Sequence, residues 1–238
     1  MTSVSVIVPA YNEERFLVRS LGSLHHSRIR LAETSPGTAC QFVVVDNGSS
    51  DASAKVAAGF GARVVTESRR GVAVARNAGA RAADGELLAF VDADYRVPMT
   101  FLPAMVRMFA ANPTLCAAGS RVALEPTEID PVRRWCAARS LSLLRRVMSM
   151  SFGVFWFRRG YWEELGGFDE RLYAYEDVEL LRRLTRERPV RYGIADDVTV
   201  YASARGFYRG RMLRTYGRMA ASPRARRDVA RCGYWYAR

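Results

Sequence analysis

Short apolar runs alternate along this chain with segments of helical spacing. Val4, Val6 and Val8 alternate with Ser5 and Ile7 in a first strand that Pro9 is expected to stop. Phe42-Val43-Val44-Val45 makes a second strand, Arg63 to Thr66 a short third, and Leu87-Leu88-Ala89-Phe90-Val91 a fourth. The unbroken apolar run of that fourth strand predicts burial on both faces, as in a parallel sheet between helical layers. Leu17, Leu21 and Leu24 mark one face of a helix reaching about residue 30, with Asn12 as its N-cap and Glu13 and Glu14 in its first turn. A loop follows from Thr34 to Thr38, and Asp46 to Asp51 reads as a turn leading into a capped helix start. Further helices are expected from about Val72 to Ala83 and from Pro98 to about Ala111, then a strand near Leu115–Gly119. Beyond a loop bracketed by Pro126 and Pro131, the pattern predicts a helix over Val132 to Met148 and a strand at Val154–Phe157. It continues with a turn at Gly166-Gly167, a helix from about Tyr175 to Arg188 and a strand at Val198–Tyr201. Strands alternating with helices at this pace mean βαβ units with right-handed crossovers, an α/β fold around a mostly parallel sheet.

Composition narrows the class without choosing a function. The 238 residues suit one large α/β domain or a domain with a modest appendage, and 49% apolar with 25% charged residues is ordinary for a globular chain. No run approaches the roughly 18 uncharged apolar residues that span a bilayer. Met1-Thr2-Ser3-Val4 enters a strand pattern directly, so no signal segment is expected. The cysteines Cys40, Cys116, Cys136 and Cys232 lack the close paired spacing of a zinc knuckle or a disulfide framework. A reduced, cytoplasmic setting is the expectation. The net charge of +12 is concentrated late: residues 202–238 carry ten Arg against the single Asp228. Such a tail suits anionic lipid, nucleic acid or phosphorylated substrates. An Arg-biased genome is the plainer explanation, since 35 of the 36 basic residues are Arg.

The chemistry gathers where strands end. In a parallel sheet Pro9-Ala10-Tyr11, Asp46 and Asp92-Ala93-Asp94 fall on one carboxyl edge, where open α/β sheets bind ligands. Two carboxylates at i and i+2 suit a hard divalent cation that in turn holds phosphate oxygens, although Asp is also common in solvated turns. Tyr11 would stack on a base and Asp46 would accept from a base N–H. Neither G-x-G-x-x-G nor a Walker-type loop occurs, which weakens dinucleotide oxidoreductase and P-loop readings. A second acidic site, Tyr175-Glu176-Asp177, follows Gly166-Gly167-Phe168-Asp169-Glu170. Its acids either stabilise a helix dipole or face the cleft as a general base.

These blocks together resemble the family 2 glycosyltransferases, which have the GT-A fold. Val4 to Glu13 is similar to the family's opening strand, and Val44 to Asp51 and Gly71 to Gly79 to its next two blocks. Asp92-Ala93-Asp94 matches its D-x-D motif, and Gly166 to Asp177 its acceptor-side segment. The resemblance implies a GT-A domain over 1–205, with a nucleotide-sugar half at 1–119 and an acceptor half at 120–205, followed by a basic tail at 206–238. It implies an inverting transfer from a nucleotide-diphosphate sugar; Asp46 suits the imide N–H of uracil, so a UDP-sugar is favoured, and guanine also offers an N–H, so GDP-mannose is the other candidate. Pro9, Ala10, Tyr11 and Glu13 would line the nucleotide pocket, Asp46 would read the base and Arg76 would support the nucleotide end. Asp92 would contact the ribose or a metal-bound water, Asp94 would bind Mg²⁺ or Mn²⁺, and Asp177 would be the catalytic base.

The chain departs from the family pattern in two places. Asn47 stands where a second Asp is frequent, and a late His metal ligand is missing, because His25 and His26 lie on the first helix. Near that place stands Tyr201-Ala202-Ser203-Ala204-Arg205, so Arg205 would hold diphosphate instead. The expected acceptor is a lipid-linked or cell-envelope glycan, reached by a peripheral contact of the Arg-rich tail with an anionic membrane. A soluble small acceptor is the alternative. A sugar nucleotidyltransferase would carry a Gly-rich basic loop where Pro9 to Glu14 stands, and no nucleic-acid partner is expected.

Overall fold

The structure, a computed structural model, describes residues 2–128, 130, 153–173, 175–187 and 191–205. Its elements run β1 (Ser3–Ala10), α1 (Glu14–Thr34), β2 (Ala39–Asp46), α2 (Ser53–Gly59), β3 (Arg63–Thr66), α3 (Val72–Ala82), β4 (Leu87–Val91) and β5 (Tyr95–Arg96). They continue with α4 (Phe101–Ala111), β6 (Leu115–Leu124), a 3-10 turn (Pro126–Glu128), β7 (Val154–Arg158), α5 (Arg159–Glu164), α6 (Glu176–Glu187) and β8 (Arg191–Ala202). One eight-stranded sheet takes the order β3-β2-β1-β4-β7-β6-β8-β5. From β3 to β4 every pairing is parallel; β7 then enters antiparallel to both β4 and β6, and β8 returns parallel to β6.

Both faces of the sheet are covered, as the unbroken Leu87–Val91 run predicts. Val4, Val6 and Val8 pack with Leu17, Leu21, Leu24, Phe101, Met105 and Trp156 on one face. Ile7, Val43 and Val45 turn the other way, onto Ala73, Ala75, Phe90, Phe155, Phe168 and Leu180. The two-residue side-chain period of β1 therefore feeds both cores. On the second face α3 lies unusually close: a Cβ added at Gly79 would sit 2.4 Å from Ile7 Cγ2 and 2.8 Å from Val45 Cγ2. The missing side chain sets that approach.

Several local expectations are corrected. Pro9 does not stop β1; it stays in register with Val45, while the β4 partner ends opposite Ile7. A residue lacking an N–H is tolerated there because the ladder on the β4 side has already finished. Asn12 is not the cap of α1. Its φ is +53°, and the helix begins at Glu14 with Glu13 in the cap position. Asn12 spends its side chain on the neighbouring loop, where its Oδ1 accepts from Ser50 N at 2.8 Å. α1 also runs four residues past the expected end, to Thr34. β6 and β8 are longer than expected, the latter with a bulge where Ser120 pairs Ala195 but Arg121 pairs Thr199. The helix expected at 132–148 and the tail at 206–238 lie outside the described residues.

Candidate active site

The parallel half of the sheet delivers Ala10, Asp46 and Asp92 to one edge, at the ends of β1, β2 and β4. The first two loops are stitched together there. Asn12 N donates to Ser49 Oγ at 3.0 Å, Glu13 N to Ser53 Oγ at 2.8 Å and Ala52 N to Glu14 Oε2 at 3.0 Å. Asp46, half-buried, accepts from Ser49 N at 2.9 Å through Oδ1. Pro9 and Ala10 have buried side chains, so they offer the edge their backbone; Ala10 O accepts from Asn47 N at 2.9 Å. Tyr11 is half-buried with the Arg70 guanidinium 4.3 Å from its ring centre.

Asn47 explains its own departure from the family pattern. Its amide nitrogen donates to Glu67 O at 2.8 Å and Arg69 O at 2.7 Å, and its Oδ1 accepts from Gly71 N at 3.1 Å. It is fully buried and fastens the loop that carries Arg70 into α3. An aspartate carboxylate cannot make those two donations. Nothing in the sequence signals this role, because every partner of the side chain is backbone twenty or more residues away.

Ion pairs join the acidic motifs. Arg76, 3% exposed, sends Nη2 to Asp92 Oδ1 at 2.7 Å and Nη1 to Glu176 Oε1 at 2.6 Å. Burial disfavours its charge, but Asp92 and Glu176 more than offset that, so the guanidinium stays positive. The next residue, Asn77, clasps the glycine-rich loop: Nδ2 donates to Phe168 O at 2.9 Å and Oδ1 accepts from Phe168 N at 2.9 Å. One turn of α3 thus holds the D-x-D segment, the Gly166-Gly167-Phe168 turn and the start of α6 on one rim. The expected nucleotide-end role of Arg76 meets a different geometry, with both guanidinium arms turned to carboxylates.

Asp177 opens α6 beside Glu176, and its Oδ1 accepts from Val178 N at 2.7 Å. Burial pushes its carboxyl up to about 7, with the Glu176 charge adding to the rise and Arg76 opposing it. Such a group is poised as a general base near neutral pH. The helix-dipole reading of these acids fits Glu176 less well, since that side chain is committed to Arg76.

Asp94 meets Arg205, which β8 delivers beside β5. Arg205 Nε donates to Asp94 Oδ2 at 2.9 Å, and its Nη1 and Nη2 grip Glu13 Oε2 and Oε1 at 2.8 and 2.6 Å. Glu13 is 1% exposed and its carboxylate faces this arginine. Burial raises the Asp94 carboxyl above its ordinary range; Arg205 pulls it back and Asp92 adds to the rise.

The candidate donors for a cation are Asp92 and Asp94, each with one oxygen turned to an arginine. Among the described residues no cluster of three His, Cys, Asp or Glu forms around them. Two carboxylates still fit Mg²⁺ or Mn²⁺, which keep waters and take substrate phosphates for the rest of their shell.

This architecture is that of the GT-A glycosyltransferases: a largely parallel nucleotide-binding half, an acidic motif at the end of β4 and an antiparallel second half. The chain belongs to the family described as glycosyl transferase family 2, whose model matches residues 5–166. It is 25% identical to glycosyltransferase AglE of Haloferax volcanii over 192 residues, covering 76% of this chain and 61% of that protein. The mannosyltransferase PcManGT of Pyrobaculum calidifontis, solved with GDP-Man and Mn²⁺, superposes with a TM-score of 0.68 at 24% identity, covering 89% of this chain and 60% of that one. Glucosyl-3-phosphoglycerate synthase of Mycobacterium tuberculosis, solved with Mn²⁺, UDP and phosphoglyceric acid, gives 0.62 at 23% identity, covering 98% and 79%. The chain therefore spans about three fifths of AglE and of PcManGT.

Proposed function

We propose that this chain transfers a sugar from a nucleotide-diphosphate sugar to an acceptor hydroxyl, with inversion at the anomeric carbon. The observation that carries the reading is the Arg76 bridge, which ties Asp92 of the D-x-D motif to Glu176 beside Asp177. Asp177 accepts the hydroxyl proton as the acceptor oxygen attacks opposite the departing diphosphate, and positive charge builds at the sugar. Glu176, fixed by Arg76, adds its charge to the rise of that base's carboxyl. Asp94, with Asp92, would hold Mg²⁺ or Mn²⁺, which supplies positive charge against the leaving diphosphate.

Asp46 and Tyr11 receive the base, with Pro9, Ala10 and Glu13 shaping the wall behind them. An acceptor-only carboxylate suits the imide N–H of uracil, so we read the donor as a UDP-sugar. Guanine also offers an N–H, and the GDP-Man complex of PcManGT supports a GDP-sugar as the second reading. For the acceptor, the ten Arg of residues 202–238 favour a substrate on an anionic surface, such as a lipid-linked glycan.

The test is a screen of nucleotide sugars for thermal stabilisation and metal-dependent hydrolysis, run beside Asp94→Ala. One donor should stabilise the wild type with Mn²⁺ and lose that effect in the variant. No response to any donor, or an unchanged response in Asp94→Ala, overturns the reading.

A further inference from the structure

Arg205 occupies an unexpected position for a residue beside a cation-binding aspartate. Its guanidinium lies 4.2 Å from the Phe16 ring centre and makes bidentate contact with Glu13 while touching the same Asp94 oxygen through two nitrogens, at 2.9 and 2.8 Å. A frame holds it there. Ser203 N donates to Asp94 O at 3.2 Å, and Glu128 Oε2 accepts from Ser203 Oγ at 2.7 Å and from Ala204 N at 2.8 Å. Glu128 is itself paired with Arg19 at 2.8 Å. The placement is thus fixed by α1, the turn between β4 and β5, the 3-10 turn and the segment just after β8.

Two cations now compete for one carboxylate. A divalent ion on Asp94 would stand a few ångströms from the guanidinium, and such like-charge proximity is strongly unfavourable in a partly buried site. A diphosphate relieves the conflict, because its oxygens can take the guanidinium edge that Asp94 gives up. Resting on the glycosyltransferase reading above, we infer that Arg205 is an exchangeable counter-cation of the donor site. It neutralises Asp94 before donor arrives, then passes to the diphosphate when the metal takes Asp94, pivoting on its bidentate hold of Glu13. Metal and donor binding become mutually dependent through this one side chain.

Calorimetry with Mn²⁺ alone, UDP or GDP alone in EDTA, and both together tests the exchange on the full chain. Arg205→Gln should bind Mn²⁺ alone about tenfold more tightly and, with Mn²⁺ present, bind the nucleotide about tenfold more weakly, the size expected for one charge-assisted contact. The Glu13→Gln/Arg205→Gln pair, which leaves no buried carboxylate uncompensated at position 13, should show the same two shifts if the single variant folds poorly. Arg205→Lys should retain part of the nucleotide binding measured with Mn²⁺. Unchanged affinity for Mn²⁺ alone, or unchanged nucleotide affinity in the presence of Mn²⁺, in the variants overturns the exchange while leaving the transferase reading intact. A wild-type chain that binds neither nucleotide even with Mn²⁺ sinks that reading and this one together.

Discussion

Asp177 carries a pH dependence with a definite sign. Its carboxyl is raised from the ordinary 3.8 to about 7 by burial and the Glu176 charge. In the proposed role of base it must be ionised, so kcat/KM should climb with pH through about 7. The same shift sets a stability trend. The folded state holds this proton more tightly than the unfolded chain, so the contribution is full below about 4 and is lost as pH rises through about 7. Asp177→Asn should therefore abolish turnover yet melt higher than the wild type at pH 8, with the gap closing at low pH. A gap independent of pH would contradict the assignment. At Asn47 the expectation is the reverse: Asn47→Asp puts a carboxylate at a buried position and strips two backbone carbonyls of their donor, and should cost about 2 kcal/mol, read by denaturant unfolding. Asp46, Asp92 and Asp94 are legible in the sequence because each follows an apolar strand directly. Asn47 and Arg205 are not, because their partners are distant backbone or carboxylates that only the closed sheet brings near.

Among the elements, α3 is the organiser. It was legible as a helix, but its small, almost wholly buried surface gives no amphipathic pattern from which its neighbours could be read. The close packing at Gly79 makes Gly79→Ala an overpacking change, expected to cost about 1–3 kcal/mol in thermal unfolding. Asn77→Ala would release the Phe168 turn and with it the start of α6. Its turnover should fall more than its nucleotide affinity, since the donor-side Asp46 and Tyr11 are untouched; equal losses would refute the division of labour. α5 escaped sequence reading because Arg159-Gly160 opens it, and Gly is a poor helix former. Pro9 misled in the other direction, since a proline inside a central strand is tolerated only where a neighbouring ladder has ended.

For the whole molecule, the alternation of strands and helices foretold the parallel half well, and the second half poorly. β7 reverses direction beside β4, and no local signal distinguishes a strand entering antiparallel from one entering parallel. Among the described residues no helix is long and apolar enough to cross a membrane. The charge of residues 202–238 predicts a surface association instead: the full chain should co-sediment with vesicles containing anionic phosphatidylserine, and less so as salt rises past a Debye length of about 8 Å. Equal sedimentation with neutral vesicles would remove the lipid-surface acceptor.

The contact between Glu13 and Arg205 spans 192 positions of the chain. During synthesis the β1 to β4 layer leaves the ribosome long before its final cation does. In a nascent chain Glu13 and Asp94 therefore stand without their shared counter-charge until Arg205 has emerged. Completion of the proposed donor site would then wait for the segment after β8, and a fragment ending before Arg205 should lack its contacts to Glu13 and Asp94.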